Sequence, residues 1–341
     1  MSTHETRVIR ITEILPHPNA DRLQMVPVFG YLCAIRKDSF KIGDLAVFVE
    51  PDYVVPLDRP EFSFLSKPNH PERKSERIAV QKLRGVYSQG LLVPAPSGCK
   101  EGDNAIELLG ITRYEPPEEI MVRGAFAEKG PEIVAPKYDL ENLKKYNTLL
   151  IEDEEVIVTG KIHGCNSRWL WHQDRMWVGS HTQWKRKPGE IIESDGQVVP
   201  NNAWWEALKQ NPWMLEWCKA HPDIVVYGEV YGQVQKGFQY GMAPGKYGIA
   251  VFDILQDRQW IPNAEFVNEF YNDLKFVQTL YRGPFKLSIV EKLTEMKETF
   301  NNCGGIREGV VVVPVNERWD PYIGRVKLKY VSNQYLGMPG D

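Results

Sequence analysis

The sequence lacks the features that mark disulfide-stabilised, zinc-binding or membrane-spanning proteins. Its five cysteines are odd in number, scattered and without a CxxC pair, which argues against a disulfide framework and a structural zinc site. It has no apolar run of the length that crosses a bilayer, and its first residues carry no apolar stretch with a small-residue cleavage site. We therefore expect a cytoplasmic protein in a reducing compartment, without a membrane partner.

An excess of positive charge is missing as well. The net charge is −4, whereas nucleic-acid-binding proteins usually show a basic footprint. A localised basic groove can nevertheless lie on an acidic protein, so the net charge alone does not exclude a nucleic-acid partner. The 341 residues, 43% of them hydrophobic and 25% charged, are sufficient for two globular domains with their own cores.

Short β-like runs separated by turn residues fill the first part of the chain. Examples are RVIRITEIL, LQMVPVFGYLCAI and DLAVFVE, and this spacing predicts a small β-barrel over residues 1–112. Residues 113–137 contain four prolines with acidic residues between them, which is typical of a linker.

From residue 138 to residue 341, apolar strand-like runs alternate with helical stretches. This alternation predicts an α+β domain with mostly antiparallel sheets. Helices are predicted over 139–146, 202–219, 263–280 and 288–300, the third from apolar residues at three- and four-residue spacing. The tryptophans at 204, 205, 213 and 217 also fall at helical spacing, and we expect them in a core.

The segment VIVTGKIHGCN is a β-branched strand that runs into Lys161 and is followed by Gly164. A strand end holds a lysine rigidly, and a glycine permits either a close approach of the backbone to a ligand or a positive φ. Such an amine becomes a nucleophile when neighbouring cations or a metal lower its pKa. Taken alone, the tetrapeptide KIHG at 161–164 more often marks an exposed lysine at a strand–turn junction, because short motifs match by chance.

Four further strand segments follow in order: YGE with Glu229, FD with Phe252, EG with Glu308, and KLK with Lys327 and Lys329. The strand period of two places the two lysines of KLK on one face of a sheet. Two ammonium groups side by side repel each other unless an anion lies between or above them. A triphosphate is the natural candidate for that anion.

In this order the segments resemble the covalent nucleotidyltransferase superfamily of DNA ligases, RNA ligases and mRNA capping enzymes. The signature of that superfamily is KxDG or KxHG, then GE, a strand with Phe or Tyr, EG, and KxK. The form KIHGxN resembles the phage nick-sealing and trypanosome RNA-editing ligases, whereas DNA ligases carry KxDGxR. The segment KYDLEN at 137–142 also resembles the first segment of that RNA ligase branch. The matches extend over roughly residues 137–330.

The resemblance implies a role for each matching residue. Lys161 would attack the α-phosphorus of ATP and carry AMP covalently, while Lys327 and Lys329 would hold and polarise the α-phosphate. Glu308, with Glu229, would bind a divalent metal, Mg²⁺ or Mn²⁺, which suits carboxylate ligands. Besides those two lysines, the implied ATP-binding residues are Ile162, His163, Asn166, Glu229 and Phe252.

Some positions leave alternatives open. His163 stands where many members of the superfamily carry an Asp, which leaves the metal-water role of that Asp unassigned. Thr159 and Gly160 precede the nucleophile where several relatives carry a Glu, so the adenine contact of that Glu is not carried over. Phe252 is either an adenine platform or an ordinary core residue, and Asp253 after it is either part of the site or a turn cap.

The stretch HPNADRL at 17–23 resembles a segment of the OB-fold tRNA-binding domains on some aminoacyl-tRNA synthetases and their cofactors. An OB domain placed before a KxHG domain resembles the Deinococcus- and Naegleria-type RNA ligases. The same Pro, Asn and Asp would also suit a structural turn before a strand. OB barrels bind nucleic acid through basic and aromatic side chains, for which the candidates are Arg22, Arg36, Lys37, Arg84 and Tyr87.

A second cationic run follows Trp184. It consists of Lys185, Arg186 and Lys187, and it is either a solvated loop or a contact to the RNA backbone.

The sequence thus predicts an ATP-dependent RNA ligase that joins 3′-OH and 5′-phosphate ends in RNA repair. We expect a monomer that acts on a nicked duplex or on broken RNA, with or without a DNA strand in it. Two alternatives stay open. One is another lysine nucleotidyltransferase, either a DNA ligase or a capping guanylyltransferase, and the other is a catalytically inactive RNA- or tRNA-binding protein.

Overall fold

The computed structural model describes residues 4–70, 72–114, 126–192, 196–235 and 237–338. The chain forms two compact units. The main unit comprises Pro117–Glu141 and Leu150–Tyr330, and the N-terminal unit comprises Ser2–Pro116, Asn142–Leu149 and Val331–Asp341. Among the helices in the described ranges, each is too short or too polar to cross a bilayer.

Short strands joined by tight turns build the first part of the N-terminal unit, as the run spacing predicted. The strands are β1 (Val8–Arg10), β2 (Leu15–Pro16), β3 (Leu23–Val28), β4 (Tyr31–Arg36), β5 (Leu45–Val49), β6 (Tyr53–Pro56), β7 (Ser75–Arg77), β8 (Gln81–Leu83), β9 (Val86–Ser88), β10 (Leu91–Pro94) and β11 (Thr112–Arg113), with helix α1 (Ile106–Leu109). They form antiparallel groups in the orders β1-β5-β10, β2-β3-β4, β11-β6-β7 and β8-β9. Alternating apolar side chains of β5 fill two cores, Val47 and Val49 on one side and Ala46 and Phe48 on the other.

The HPN segment holds a turn of the N-terminal unit in place. His17 is buried, and one ring nitrogen lies 3.2 Å from the carbonyl oxygen of Leu83. The side-chain amide of Asn19 donates to the carbonyl of Arg84 at 2.9 Å. The motif therefore has a structural use in this unit, fixing the turn between β8 and β9.

The rest of the chain contains more strand than helix. Its strands are β12 (Ala127–Glu128), β13 (Glu141–Asn142), β14 (Glu155–Lys161), β15 (Cys165–His172), β16 (Arg175–Ser180), β17 (Trp184–Lys185), β18 (Val225–Gly232), β19 (Tyr247–Gln256), β20 (Gln259–Trp260), β21 (Thr279–Pro284), β22 (Gly309–Pro314), β23 (Trp319–Asp320), β24 (Gly324–Arg325) and β25 (Leu328–Val331). Its helices are α2 (Ala203–Gln210), α3 (Pro212–Ala220), α4 (Asn263–Glu269), α5 (Leu287–Glu295) and α6 (Asn333–Leu336).

Two antiparallel sheets dominate the main unit. One has the order β12-β17-β16-β15-β18-β19-β20, and the other contains β25-β22-β14-β21. Helices α2, α3 and α4 pack on the first sheet through a shared core that includes Trp169, Trp204, Trp217 and Phe266. The predicted core position of the tryptophans is confirmed, with Trp205 and Trp213 half-buried at the edge of this core.

The predicted helices differ from those of the structure in their bounds. The single helix expected over 202–219 is two helices, because Pro212 cannot continue α2 but suits the first turn of α3. The helix expected over 263–280 ends at Glu269. Beyond it, Leu274 is buried in a turn, where its backbone N–H donates to the carbonyl of Phe270 at 3.0 Å. Val277 is buried further along, and its backbone N–H donates to the carbonyl of Val251 at 2.9 Å. The helix expected over 288–300 ends at Glu295.

The short helix predicted over 139–146 is wrong. This segment contains β13 and then a series of turns. The side-chain oxygen of Asn142 accepts from the backbone N–H of Lys144 at 3.0 Å, a local bond that favours a turn over a helix.

The linker predicted over 113–137 lies partly outside the described residues, which omit 115–125. In the described part, β12 pairs with β17 in the first sheet. The carbonyl of Pro136 also accepts from the hydroxyl of Tyr227 at 2.9 Å. Residues 126–137 are therefore packed on the main unit, because backbone pairing and buried hydrogen bonds can hold even a proline-rich segment.

Candidate active site

The register of two strands brings Lys161 and Glu308 together. Lys161 is the last residue of β14 and pairs with Gly309, the first residue of β22. Glu308 precedes that glycine, and its carboxylate reaches the amine. The distance from Lys161 Nζ to Glu308 Oε1 is 2.7 Å. The second carboxylate oxygen of Glu308 is buried and has no hydrogen-bond partner among the described residues.

Carboxylates dominate the electrostatic surroundings of Lys161. Burial alone would lower the pKa of its amine, but the carboxylates of Glu308 and Glu229 outweigh burial and raise the pKa above its ordinary value. A neighbouring cation or metal, which the sequence analysis gave as the condition for a nucleophilic amine, would act in the opposite direction.

His163 lies near the same carboxylate oxygen of Glu308. Its Nδ1 is 3.9 Å from Glu308 Oε1, and its ring meets the ring of Phe238 edge-on, with centroids 4.7 Å apart. The backbone N–H of His163 donates to the hydroxyl of Tyr240 at 2.7 Å. Ile162, between the nucleophile candidate and the histidine, is buried.

Glu229 is positioned by Gly164. Asn166 on β15 pairs with Glu229 on β18, and Glu229 Oε1 accepts from the backbone N–H of Gly164 at 3.0 Å. Burial and the neighbouring charge of Glu308 raise the pKa of Glu229 to about 8, against the opposing effects of Lys161 and of that N–H. Two of the acidic residues predicted from the sequence thus share one site with the lysine.

Gly164 is required by a close backbone approach. A Cβ at this position would lie 2.1 Å from the carbonyl oxygen of Val230, and φ at Gly164 is outside the left-handed region. The structure does not show the positive φ that the sequence left open for this glycine, and the close approach that it shows is to a neighbouring strand. The approach to a ligand stays a prediction.

We expect Gly164→Ala to lower the free energy of unfolding by about 1–3 kcal/mol, as overpacking against a fixed backbone does. It should also displace Glu229 from the N–H of residue 164. Urea unfolding monitored by tryptophan fluorescence measures the first effect. The matched control is Gly305→Ala, because a Cβ at Gly305 meets nothing within 4 Å. Equal midpoints for the two variants would contradict the packing argument.

Lys327 lies in a buried network of charges that the sequence did not predict. Its Nζ donates to Asp253 Oδ2 at 2.7 Å and to the carbonyl of Phe252 at 3.0 Å. The same Asp253 oxygen accepts from Arg325 at 2.7 Å and from the hydroxyl of Tyr138 at 2.6 Å. Asp253 is therefore the centre of a network and not a turn cap.

The pKa values in this network follow from burial and charge. Burial tends to raise the pKa of Asp253, but Lys327 and Arg325 outweigh it, so the pKa lies below its ordinary value. Burial lowers the pKa of Lys327, helped by the charge of Arg325 and opposed by Asp253. The carboxylate thus stabilises two buried cations.

Lys329 has a carboxylate of its own. Its Nζ lies 3.6 Å from Asp139 Oδ1. The repulsion expected between Lys327 and Lys329 is therefore offset within the protein by Asp253 and Asp139, where the sequence argument had assigned that task to a triphosphate alone.

Phe252 is half-buried in a group of aromatic rings. Its ring centroid lies 4.7 Å from that of Tyr138, which also contacts Tyr227 and Trp260. A cavity of about 210 Å³ adjoins this group, and Tyr138, Trp260, Arg325 and Lys327 are among its lining residues. The sequence analysis assigned no role in the site to Tyr138, although it lies in the KYDLEN segment, and it did not single out Arg325. The signal for Arg325 is a charged residue within the predicted strand GRVKLKYVS.

The predicted RNA contacts are placed in two groups. In the N-terminal unit Arg22, Arg36 and Lys37 are exposed and adjacent, since the backbone N–H of Lys37 donates to the carbonyl of Arg22 at 2.9 Å. Arg84 is exposed and Tyr87 is half-buried beneath Lys82, whose Nζ lies 5.2 Å from the ring centroid.

In the main unit, the run after Trp184 is not a solvated loop. Lys185 is fully buried, with its Nζ 4.8 Å above the ring of Trp204, so this residue is not available to RNA in this conformation. Arg186 is half-buried and Lys187 exposed.

Comparison with known proteins gives a consistent result. A family model described as RNA ligase matches residues 154–331, just over half of the chain, and an OB-fold domain model matches residues 6–95. No curated protein sequence matches the chain.

The chain is similar in structure to an RNA ligase of Naegleria gruberi. An apo structure of a mutant of that protein matches with 23% identity and a TM-score of 0.78, covering 98% of each chain. A mutant with ATP and Mn matches with 22% identity and a TM-score of 0.78, covering 97% of this chain and 98% of that one. The same ligase with pyrophosphate matches with 22% identity and a TM-score of 0.77, covering 98% of each chain.

These matches confirm the predicted fold class, an N-terminal OB-fold domain followed by an α+β ligase domain with mostly antiparallel sheets. The family model covers the positions of Lys161, Glu229, Phe252, Glu308 and Lys327. The chain is an enzyme of the RNA ligase family.

Proposed function

We propose that this RNA ligase uses ATP to form a covalent AMP adduct on Lys161 and passes the AMP to an RNA 5′-phosphate. The observation that carries the proposal is the position of Lys161. Its amine lies at a strand end, 2.7 Å from the carboxylate of Glu308, with Glu229 and Asp139 close enough to affect its pKa. Few surface lysines are held so firmly among acidic groups.

The proposed reaction has three steps. In the first, the deprotonated amine of Lys161 attacks the α-phosphorus of ATP, a P–N bond forms, and pyrophosphate leaves. In the second, an oxygen of the RNA 5′-phosphate attacks the same phosphorus and the P–N bond breaks, which leaves AMP on the RNA. In the third, the RNA 3′-OH attacks the activated 5′-phosphate, a phosphodiester forms, and AMP leaves. Each step is mainly positioning and charge neutralisation.

We assign a role in this reaction to each predicted catalytic and nucleotide-binding residue. Lys327 and Lys329 neutralise the α-phosphate, for which they must exchange part of their contact with Asp253 and Asp139. Glu308, which accepts a hydrogen bond from Lys161, would take up the proton of the amine as it attacks. The nucleotide is held by a set that consists of Ile162, His163, Asn166, Glu229, Phe252, Lys327 and Lys329.

A divalent cation fits the carboxylates of this site. The buried Glu308 Oε2 lacks a hydrogen-bond partner among the described residues, and Glu229 is close enough to Lys161 to affect the pKa of its amine. The described residues contain no cluster of three or more His, Cys, Asp or Glu side chains that could enclose a metal. This suits Mg²⁺ or Mn²⁺, which often use one or two carboxylates with waters and phosphates. Such a cation supplies charge that neutralises phosphates and lowers the pKa of the lysine.

The choice of ATP and of the metal has support from the relative. The Naegleria gruberi RNA ligase has been solved as a mutant with ATP and Mn and also with pyrophosphate. ATP is the substrate and pyrophosphate the product of the first step proposed for this chain. In this chain, the half-buried ring of Phe252 offers one flat apolar face for adenine.

The N-terminal OB-fold domain, which we place at residues 1–112, would bind the RNA substrate. Arg22, Arg36 and Lys37 form an exposed cationic group there, and such groups contact phosphates without regard to sequence. The ligase domain, placed at 138–341, would then act on a nicked duplex or broken RNA, in a monomeric enzyme.

Labelling with nucleotide tests this function. Incubation with α-³²P-ATP and Mg²⁺ or Mn²⁺, followed by a denaturing gel, should give a radioactive protein band, and α-³²P-GTP should give none. A GMP adduct would indicate a capping-type guanylyltransferase. Absence of any adduct, together with RNA binding, would indicate the inactive RNA-binding alternative. Nick sealing with RNA or DNA placed separately on each side of the break then distinguishes an RNA ligase from a DNA ligase.

A further inference from the structure

Tyr240, a buried tyrosine to which the proposed reaction gives no task, contacts the turn that follows the nucleophile. It lies in the segment between β18 and β19 and is 3% exposed. Its hydroxyl accepts the backbone N–H of His163 at 2.7 Å, two residues beyond Lys161. The hydroxyl therefore holds one peptide of the KIHG segment directly.

Two other side chains from the same part of the chain hold the next residue of the KIHG segment. Glu229 accepts the backbone N–H of Gly164 at 3.0 Å, and the side-chain amide of Gln235 donates to the carbonyl of Gly164 at 3.2 Å. Successive backbone groups of the segment are thus fixed by side chains of β18 and of the residues that follow it. Because the segment begins at the strand end that carries Lys161, a shift of these peptides would move the amine.

The backbone of Tyr240 lies in the left-handed region, with a φ of 50°. This conformation is an outlier for a residue with a bulky side chain. Asn301, whose φ is also 50°, donates its side-chain amide to the carbonyl of Tyr240 at 3.3 Å. Strained conformations persist only where the surroundings impose them, and they cluster at functional sites. The surroundings of Tyr240 therefore impose the conformation that directs its side chain to the KIHG segment.

Aromatic rings fix the orientation of the Tyr240 side chain. Its ring centroid lies 5.9 Å from those of Tyr231 and Phe300 and 6.3 Å from that of Phe238. The ring of Phe238 also meets the ring of His163 edge-on. Close packing on several sides leaves the tyrosine ring few alternative rotamers, so its hydroxyl meets the His163 peptide from a fixed position.

The loop that contacts Tyr240 is anchored beside the other half of the site. Arg307, which precedes Glu308, is buried with its guanidinium 3.5 Å from the carboxylate of Glu298. Glu298 in turn accepts the backbone N–H of Phe300 at 2.9 Å. Tyr240 thus connects the KIHG segment with a loop that is tied to the neighbour of Glu308.

The hydroxyl of Tyr240 keeps its proton. Burial, helped by the negative charge of Glu308, raises its pKa above the ordinary value. A neutral hydroxyl can accept the N–H of His163 without placing a further negative charge beside the carboxylates of the site. Its contribution to the reaction is therefore position rather than charge.

We infer that Tyr240 is a positioning residue of this ligase, whose hydroxyl fixes the peptide of His163 and, through it, the direction in which Lys161 Nζ attacks. The inference rests on the proposed function, in which Lys161 is the nucleophile. It adds to the site a residue from outside the ordered segments that the sequence indicated. A displacement of about 1 Å between reacting groups can slow a reaction by about a hundredfold.

The test is Tyr240→Phe in the full-length chain, which keeps the ring and removes only the hydroxyl. AMP is first removed from the protein with pyrophosphate, and formation of the adduct is then followed by rapid quench with α-³²P-ATP over a range of ATP concentrations. We expect the rate constant at saturating ATP to fall about tenfold, with the half-saturating ATP concentration unchanged, because the amine is misdirected while the ATP contacts remain.

The matched control is Tyr231→Phe. It removes the hydroxyl of the neighbouring ring, whose hydrogen-bond partner among the described residues is the Asn301 amide at 3.3 Å. This variant should react like the wild type, and urea unfolding midpoints establish that both variants are folded. Equal rate constants for the two variants would overturn the inference. A change confined to the half-saturating ATP concentration would also overturn it, because Tyr240 would then be an ATP-binding residue.

A second readout is independent of activity. Selective ¹⁵N-labelling of histidine gives one backbone amide signal for each of the seven histidines, and His163→Gln identifies the signal of residue 163. In Tyr240→Phe this amide proton should move upfield and exchange faster with solvent, whereas in Tyr231→Phe it should not. An unchanged signal in Tyr240→Phe overturns the inference. If the wild type takes no label, the proposed function fails, and the amide signal still decides whether Tyr240 holds the KIHG segment.

Discussion

Lys161→Ala is expected to abolish covalent labelling by α-³²P-ATP completely. The amine is the atom that would form the P–N bond, and alanine offers no nucleophile in its place. Glu308, 2.7 Å away, can accept a proton but is not expected to substitute, because a carboxylate would form a mixed anhydride that water cleaves readily. Loss of the first step should also abolish ligation of 5′-phosphorylated RNA.

Two variants make this result specific. Lys161→Arg keeps a cation near Glu308 but lacks a nucleophilic amine, so it should also fail to take label while preserving the unfolding midpoint of the wild type. Lys209→Ala removes a lysine whose side chain is 79% exposed, and it should label normally. An AMP adduct on the Lys161→Ala protein would refute the assignment of the nucleophile. Sealing of RNA that already carries AMP on its 5′-phosphate should survive better than the first step.

Asp253→Ala is expected to cause the largest loss of stability, about 3–5 kcal/mol, as removal of one partner from a buried charge network does. The carboxylate is fully buried and contacts Lys327, Arg325 and Tyr138. Without it, two cations lie in the interior with too little compensating charge. Urea unfolding at pH 7 measures the change. The control is Asp273→Ala, at an exposed turn position without a positive φ, and it should change little.

The pH dependence follows from the lowered pKa of Asp253. Because the pKa of the folded state lies below that of the unfolded state, the stability that this group contributes is fully present above about pH 4. It is lost as the pH falls from that value through the folded pKa. The difference in unfolding free energy between the wild type and Asp253→Ala should therefore be constant near neutrality and shrink below about pH 4. A difference that grows on acidification would contradict the network.

The sequence predicted the strands and sheets of the ligase domain better than its helices. Strand runs such as VIVTGK and VVYGEVYG have few alternative structures, because their β-branched residues and their alternation with a period of two both favour a strand. Helical spacing was ambiguous where tertiary pairing competed with it. The apolar residues at 266, 270, 274 and 277 are all buried, yet only the first lies within a helix.

The sequence predicted those site residues that lie within short, recognisable motifs. Lys161 and Glu308 lie in recognisable segments, and the register of β14 and β22 brings them together. The network around Asp253 could not be found in the same way. Its members Tyr138, Asp253 and Arg325 come from three separate segments, and their association depends on packing that no short spacing encodes. Local motifs also did not indicate which charges surround Lys161. In this chain its pKa is raised by carboxylates.

The contact between Gly164 and Val230 limits how the site can change over generations. The obstacle to a side chain at Gly164 is a carbonyl oxygen, which is present whatever amino acid occupies the facing position. A second substitution at Val230 therefore cannot relieve the clash, as it could between two side chains. Descendants of this sequence that keep the active enzyme should thus keep glycine here even where the neighbouring strands diverge freely, and an inactivated copy of the gene should be released from that restriction at once.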